Sequence, residues 1–131
     1  MIQPEGWPRP RGYANAISAR GEIVALAGQV GWNPVTQQFE SDDFVAQVEQ
    51  ALRNIVTVLS AVGAHPEDVI RLTWYVTSKS AYVDNTRAIG EVYRAVFGAH
   101  YPAMTLVVVA ALVEERALVE IEATAVVSGM V

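Results

Sequence analysis

The sequence predicts an α+β fold in which two helices pack on one face of a mixed sheet. Two patterns predict it: apolar residues spaced three and four apart, as in an amphipathic helix, and apolar residues alternating with polar ones, as in a half-buried strand. In chain order the elements are β-β-α-β-α-β-β, and 131 residues are the length of one domain. We therefore expect a single domain over residues 1–131, with a proline-rich N-terminal segment at residues 1–11.

Two strands and a loop are predicted first. Ala16–Ala19 and Ile23–Ala27 have the composition of strands, and Arg20-Gly21-Glu22 between them is typical of a hairpin turn. The segment Gly28–Pro34 contains two glycines three residues apart and an Asn-Pro pair, which favour a loop. It resembles a phosphate-binding loop only loosely, because it lacks a third glycine, a lysine and a directly following helix.

The first helix is predicted after Ser41-Asp42-Asp43, whose side chains are suitable N-caps. Gly63 is well placed to end this helix, because glycine readily adopts the conformation that follows a last helical turn. The apolar stripe of the helix consists of Phe44, Val48, Ala51, Leu52, Ile55, Leu59 and Val62.

The second half of the chain is predicted to contain three strands and one helix. The strand Val69–Thr77 has one apolar and one polar face. The second helix begins at Ser78 or Ser80 and ends at Gly98. The remaining strands are Ala103–Leu112 and Ala117–Val127.

The apolar content of the chain predicts an obligate homo-oligomer. Hydrophobic residues make up 52% of a short chain, which has an unfavourable ratio of surface to volume. Ala103–Leu112 is apolar on both faces, whereas two helices cover only one face of such a sheet. We expect other copies of the chain to cover the second face.

Charge and cysteine content exclude several classes of function. The net charge is −5, and the nine basic residues form no run, which disfavours nucleic-acid binding. The chain has no cysteine, so disulfides, thiolate nucleophiles and cysteine-ligated metals are excluded. No apolar run approaches the ~20 residues of a membrane span, and residues 1–10 lack the apolar core of a signal peptide. The expected location is the cytoplasm.

Two carboxylates are the first candidates for chemistry. Glu120 and Glu122 are two residues apart on one strand, so both project from the same face, roughly 7 Å apart. The pattern by itself favours a solvated strand face. However, Leu118, Thr124 and Val126 share this face, and a carboxyl among apolar neighbours has a raised pKa and can exchange protons near neutral pH.

The other chemically distinctive residues carry weaker signals. His65 and His100 lie in turns without acidic neighbours at metal-ligand spacing, so capping or solvated roles are favoured over catalysis or metal binding. Trp32 and Trp74 could line a pocket, although a core role is the stronger interpretation for Trp74.

Several motifs together resemble the Rid/YjgF family, also called the RidA-like or liver perchloric-acid-soluble protein family. The resemblance runs from about Gly12 to Val127, and the order and spacing of the motifs are more specific than any one of them. The motifs are Gly12-Tyr13-x-x-Ala16-Ile17, Ala27-Gly28-Gln29-Val30-Gly31, Gln47, Asn54, Ala61-x-Gly63-Ala64, Asp68-Val69, Tyr101-Pro102-Ala103 and Val119-Glu120-Ile121-Glu122-Ala123.

The resemblance implies a chorismate-mutase-like fold, a barrel-shaped homotrimer and three pockets at the subunit clefts. Many members hydrolyse enamine or imine intermediates to a keto acid and ammonia, without a cofactor. The resemblance gives Glu120 the role of activating water. It places other substrate-binding positions at Tyr13, Ala27, Gly28, Gln29, Gly31 and Met104. Trp32 is added to this set because its aromatic ring could line the pocket.

The sequence departs from the family pattern where substrate is recognised. The family's deaminases have Pro-Ala-Arg, whose arginine grips the substrate carboxylate, but this chain has Pro102-Ala103-Met104. Each charge-assisted hydrogen bond lost is worth roughly 1.5–3 kcal/mol. Ala27 replaces a serine, and Gly90 aligns with a frequent asparagine. The water-handling half of the site is retained, whereas the half that reads amino-acid-derived substrates is replaced.

Two functions from different classes follow. The first is an enamine or imine hydrolase with an aromatic or otherwise apolar substrate, for which Arg11 or Arg71 could supply a countercharge. The second is a non-catalytic trimer that binds or senses a small molecule, favoured by Met104 and Ala27. Some relatives carry a ribonuclease label, which the net charge of −5 disfavours for this chain.

Overall fold

The computed structural model describes residues 1–128 and contains one four-stranded sheet with helices on one face. The strands are β1 (Glu22–Val30), β2 (Val69–Val76), β3 (Ala103–Val108) and β4 (Val119–Val127). The helices are α1 (Phe44–Ser60), α2 (Lys79–Val83) and α3 (Thr86–Phe97), and a short 3-10 turn covers Pro66–Asp68. The predicted α+β class with a mixed sheet is confirmed.

The strand order in the sheet is β1-β4-β2-β3. β4 is antiparallel to both of its neighbours, whereas β2 and β3 are parallel. Parallel neighbours need a crossover connection, which α2 and α3 supply. β1 and β3 are therefore the two edge strands of the sheet.

Helix α1 begins and ends where side-chain and backbone chemistry permit. The Asp43 carboxylate accepts a 3.0 Å hydrogen bond from the Ala46 N–H, so this residue caps the helix as predicted. The last helical residue is Ser60, and Gly63 adopts a φ of 73° in the turn that follows. Between these ends, a fully buried stripe that includes Val48 and Ile55 packs against the sheet.

The core lies between the helices and one face of the sheet. Alternate residues of β4 are buried there, from Val119 to Ala125, together with Leu72, Trp74 and Val76 of β2. The opposite face, which we call the open face, has no helix over it. It carries Tyr75 of β2, Glu120 and Glu122 of β4, and the exposed side chains of Ile23 on β1 and Val107 on β3.

The expected hairpin strand Ala16–Ala19 is not a strand. Ala16 forms only an isolated bridge with Ile2. The Ala14 N–H donates to the Pro102 carbonyl (3.0 Å), which holds this segment at the β3 edge, whereas β1 is the opposite edge. Because Ala14 lies outside β3, the chain must cross four interstrand spacings, about 19 Å, before β1 begins at Glu22, and it cannot run back along β1.

Other boundaries also differ from the prediction. β1 continues to Val30, so Gly28–Val30, which were predicted to begin a loop, belong to this strand. The second predicted helix is divided into α2 and α3 at Asp84-Asn85, where the Asn85 side chain donates to the Ala81 carbonyl (2.7 Å). The strand predicted to continue to Leu112 ends at Val108, and β4 begins at Val119 rather than Ala117. Apolar composition extended both predicted strands into the loop between them, because it does not show where pairing ends.

None of the helices in residues 1–128 combines the length and apolar composition that a bilayer-spanning segment needs.

Candidate functional site

A bulge in β1 brings Gly28 against Glu120. Leu26 pairs with Ala123 and Gln29 pairs with Ile121, so two residues of β1 lie opposite one residue of β4. The half-buried Glu120 side chain occupies the space beside Gly28, and a Cβ atom at Gly28 would collide with its carboxylate. A side chain at position 28 would therefore displace the Glu120 carboxylate from its place beside β1.

The end of β1 is fixed against α1 by buried polar side chains. The Asn54 amide donates to the carbonyls of Val30 (3.1 Å) and Trp32 (2.9 Å). Gly31 lies so close to Gln47 that a Cβ atom there would collide with its backbone. These contacts hold the bulge in a defined position relative to the helix.

Gln47 also positions the start of β4. Its amide nitrogen donates to the carbonyls of Ser41 and Arg116 (both 3.0 Å), and its amide oxygen accepts from the Leu118 N–H (2.8 Å). Gln47 itself is only 1% exposed, so these hydrogen bonds satisfy a buried amide. Because Leu118 precedes Glu120 by two residues, this contact also helps to orient the candidate catalytic carboxylate.

Tyr75 and Glu122 form a polar pair on the open face. The Tyr75 hydroxyl donates a 2.6 Å hydrogen bond to the Glu122 carboxylate. This hydrogen bond, with desolvation and the negative charges of Glu122 and Glu120, raises the pKa of Tyr75 above its ordinary value. Tyr75 therefore stays a neutral donor beside the two carboxylates. Sequence reasoning missed this pair, because its formation depends on the register between β2 and β4.

A cavity of about 420 Å³ lies between α3 and the β3 edge of the sheet. Four aromatic side chains form part of its wall: Trp74 and Tyr82 meet edge to face with ring centroids 6.2 Å apart, and Tyr93 stacks on Tyr101 at 5.3 Å. Burial raises the pKa of Tyr82, and burial together with the nearby Tyr101 raises that of Tyr93. Met104 lines the same cavity.

Arginine side chains border this cavity. Arg11 and Arg94 both contribute to its lining, beside the small residues Gly12 and Gly90. Gly12 has a φ of 76°, a conformation that side chains other than glycine rarely adopt. Of the two countercharges considered from sequence, Arg11 reaches the cavity, whereas Arg71 lines a separate depression with Asn15 and Thr124.

The sequence-predicted site residues separate into two groups. Tyr13 is held next to the start of β3 by the Ala14–Pro102 hydrogen bond, but it is not among the residues that line the cavity beside Met104. Ala27, Gly28 and Gln29 accompany Glu120 at the bulge.

Met104 and Glu120 lie on opposite faces of the sheet. Met104 pairs with the buried Leu72 and packs against the core. Glu120 pairs with Tyr75 on the open face. One chain therefore does not bring these two residues into a common pocket.

Trp32 belongs to neither group. Its ring packs on Phe39, with ring centroids 5.7 Å apart, and it does not line the cavity beside Met104. Trp74 is both a core residue, 2% exposed, and part of the cavity wall.

The histidines occupy structural positions. The His100 ring nitrogen Nε2 is 2.7 Å from the Val69 carbonyl, and the Tyr93 hydroxyl donates to the His100 carbonyl (2.6 Å). His65 precedes the 3-10 turn, where its N–H donates to the Asp68 carboxylate (2.8 Å). Within residues 1–128, no three metal-ligating side chains lie together.

The fold and its cavity define a class: a small α+β protein with a mixed four-stranded sheet, helices on one face and an aromatic cavity at the β3 edge. The sequence pattern of the family described as Endoribonuclease L-PSP matches residues 8–127. The chain belongs to this family, the Rid/YjgF family, as its motifs indicated.

Similar proteins include named deaminases and solved Rid proteins. A RutC family protein of Pyrococcus horikoshii is 36% identical over 126 residues, 95% of each chain. A 2-iminobutanoate/2-iminopropanoate deaminase of Dermatophagoides farinae is 31% identical over 121 residues, 92% of this chain and 90% of the relative. The crystal structure of the Rid family protein YyfB of Yersinia pestis superimposes with a TM-score of 0.85 at 36% identity, over 96% of each chain.

Proposed function

We propose that this protein hydrolyses reactive imines and their enamine tautomers, without a cofactor, as a homotrimer of the cytoplasm. The observation that carries the proposal is the Glu120 carboxylate, held beside Gly28 at the β1 bulge and half-buried on the open face. Deaminase-named relatives of similar length support the reaction class.

The proposed reaction needs one group that moves protons. An enamine first accepts a proton on carbon and becomes an iminium ion, which is also the protonated form of the imine. Water then adds to the iminium carbon while Glu120 accepts one of the water protons, which gives a neutral carbinolamine. Glu120 returns this proton to the carbinolamine nitrogen, and ammonia leaves while the hydroxyl group releases its proton and becomes the carbonyl group. One imine and one water thus give one carbonyl compound and one ammonia, and the carboxylate is regenerated.

The proposed site is completed between subunits. Met104 and Glu120 lie on opposite faces of the sheet, so a pocket containing both requires two copies of the chain. The exposed Val107 on the β3 edge strand and the 71% exposed Ile23 on the open face support burial against such copies. A trimer places three equivalent pockets at its clefts.

The proposed substrate differs from a simple amino-acid-derived imine. A thioether cannot donate to a carboxylate, so Met104 cannot take the role of the arginine that the family's deaminases carry there. The aromatic wall beside Met104 favours a substrate with an apolar or aromatic body.

The proposal is tested by ammonia release from freshly generated aliphatic and aromatic 2-imino acids. We expect the wild-type protein to accelerate release from the aromatic acids more than from the short aliphatic ones, and Glu120→Gln to lower the rate about 100-fold or more. Glu67→Gln is the matched control, because Glu67 is exposed in the 3-10 turn and is not a residue of the proposed site. An unchanged rate in Glu120→Gln, or no acceleration by the wild type, contradicts the proposal.

A non-catalytic small-molecule binder is the second candidate, favoured by the apolar Met104 in the cavity wall. In that case a ligand binds with equal affinity to the wild type and Glu120→Gln, and no imine is turned over. RNA cleavage, suggested by the family's description, is disfavoured by the net charge of −5 and the dispersed arginines.

A further inference from the structure

The charge of the cavity beside Met104 is opposite to that of the whole chain. The chain has a net charge of −5, yet the cavity is lined by Arg11 and Arg94 and by no carboxylate. Neither arginine forms an ion pair within the described residues, where the paired arginines are Arg53, Arg87 and Arg116. Unpaired guanidinium groups beside an apolar cavity attract an anionic ligand.

Arg94 extends back along α3 over Gly90, one turn earlier. The Arg94 nitrogen Nη1 would be 3.4 Å from a Cβ atom at Gly90, so the guanidinium lies directly beside this glycine. A larger residue at Gly90 would occupy this route along the helix surface. The helix therefore presents Arg94 to the cavity, whereas the strand position that faces the cavity carries the uncharged Met104.

The wall of the cavity also contains an unsatisfied donor. Trp74 is 2% exposed and lines the cavity, and its Nε1–H has no hydrogen-bond acceptor among residues 1–128. Buried indole N–H groups ordinarily have a partner, because leaving one unpaired destabilises the fold. Because Trp74 lines the cavity, its indole N–H signal is a reporter of a ligand bound there.

We infer that Arg94 binds the carboxylate of an aromatic 2-imino acid, whose ring lies in the cavity among Trp74, Tyr101 and Met104. This inference rests on the proposed function only in taking the ligand to be an imine. The binding of its carboxylate and ring is inferred independently of that function. The volume of about 420 Å³ is within the range of roughly 300–1,000 Å³ typical of small-molecule sites. The residue that binds the anion is thus on helix α3, whereas the family's deaminases have an arginine at the Met104 position of strand β3. The aromatic side chains of the cavity then select the rest of the substrate.

Phenylpyruvate, the stable keto product of such an imine, is the probe. Its binding to the assembled protein is measured by calorimetry and by the indole N–H signal of Trp74 in proton–nitrogen NMR spectra, assigned with Trp74→Phe. We expect Arg94→Gln to weaken binding about 10- to 100-fold, the loss expected for a charge-assisted hydrogen bond. Arg94→Lys, which keeps the charge, should retain an intermediate affinity.

Arg87→Gln is the matched control, because Arg87 is on the same helix with a 95% exposed side chain paired to Glu91. We expect it to bind phenylpyruvate as the wild type does. The neutral ketone phenylacetone and the short acid 2-oxobutanoate should both bind more weakly than phenylpyruvate.

The inference is overturned if Arg94→Gln binds phenylpyruvate unchanged, or if the Trp74 signal does not move at saturating ligand. Arg94-dependent binding without ammonia release supports the inference and contradicts the proposed function. Hydrolysis of imines by a protein whose phenylpyruvate binding does not depend on Arg94 supports the proposed function and contradicts the inference.

Discussion

The Glu120 carboxylate and the Cα of Gly28 are in such close approach that no β-carbon fits between them. The contact joins the candidate catalytic group on β4 to the bulge in β1. It makes the position of the carboxylate depend on the absence of a side chain on the neighbouring strand, and this dependence can be measured.

Gly28→Ala should therefore destabilise the protein by about 1–3 kcal/mol and displace the Glu120 side chain. Urea denaturation of Gly28→Ala, Glu120→Ala and the double variant forms a mutant cycle. We expect the cost of the alanine to fall in the Glu120→Ala background, because the colliding carboxylate is then gone. Equal costs in both backgrounds would show that the two residues are not in contact.

The Tyr75–Glu122 hydrogen bond predicts a loss of stability at alkaline pH. Because the pKa of Tyr75 is raised on folding, its contribution is complete below the ordinary tyrosine pKa of about 10 and is lost as pH rises through the higher folded value. The free energy of unfolding is measured by urea denaturation between pH 8 and 11. Tyr75→Phe should decline less steeply than the wild type over this range, and parallel declines would refute the prediction.

Met104→Arg should gain activity on short aliphatic imines such as 2-iminobutanoate. The new guanidinium would enter the cavity from β3 and offer two donors in the geometry that a carboxylate accepts. Ammonia release is the measurement, and Met104→Lys is the matched control, with charge but without the paired donors. If the arginine variant assembles normally yet gains nothing, the missing arginine is not the sole determinant of substrate choice.

Subunit mixing tests whether the pocket is shared between chains. Glu120→Gln removes the proposed proton acceptor, and Met104→Glu places a negative charge where an anionic substrate would bind. If the carboxylate of one protomer serves the cavity of its partner, mixed oligomers of these two variants should recover part of the wild-type rate. An assembly in which every chain carries both changes should stay inactive. No recovery in the mixed oligomers would contradict a pocket shared between chains.

Alternation along the sequence predicted the sheet residues well, because each strand's burial depends mainly on its own pattern. The alternation of Val119–Ala125 placed Glu120 and Glu122 on one face, and the structure has them there. The cap at Asp43 was also predictable, since capping is a local interaction.

Contacts that depend on register or chain path could not be predicted in the same way. The Tyr75–Glu122 bond requires knowing which residues of β2 and β4 are opposite each other. The segment Ala16–Ala19 has strand composition, but a hydrogen bond from Ala14 to Pro102 carries it to the other edge of the sheet. Neither the register between β2 and β4 nor the path of this segment can be predicted from the local sequence.

The unprotected edge of β3 has a consequence for how the protein is made. Ala14 bridges Ala103 at the first residue of this strand, but the rest of the edge carries the exposed Val107 and Val108 and offers unpaired backbone groups. An isolated chain leaving the ribosome would present a ready template for strand addition by any neighbouring polypeptide. Rapid association with other copies of the chain would cover this edge and so protect it from aggregation. The rate of assembly would then limit the yield of folded protein at high expression.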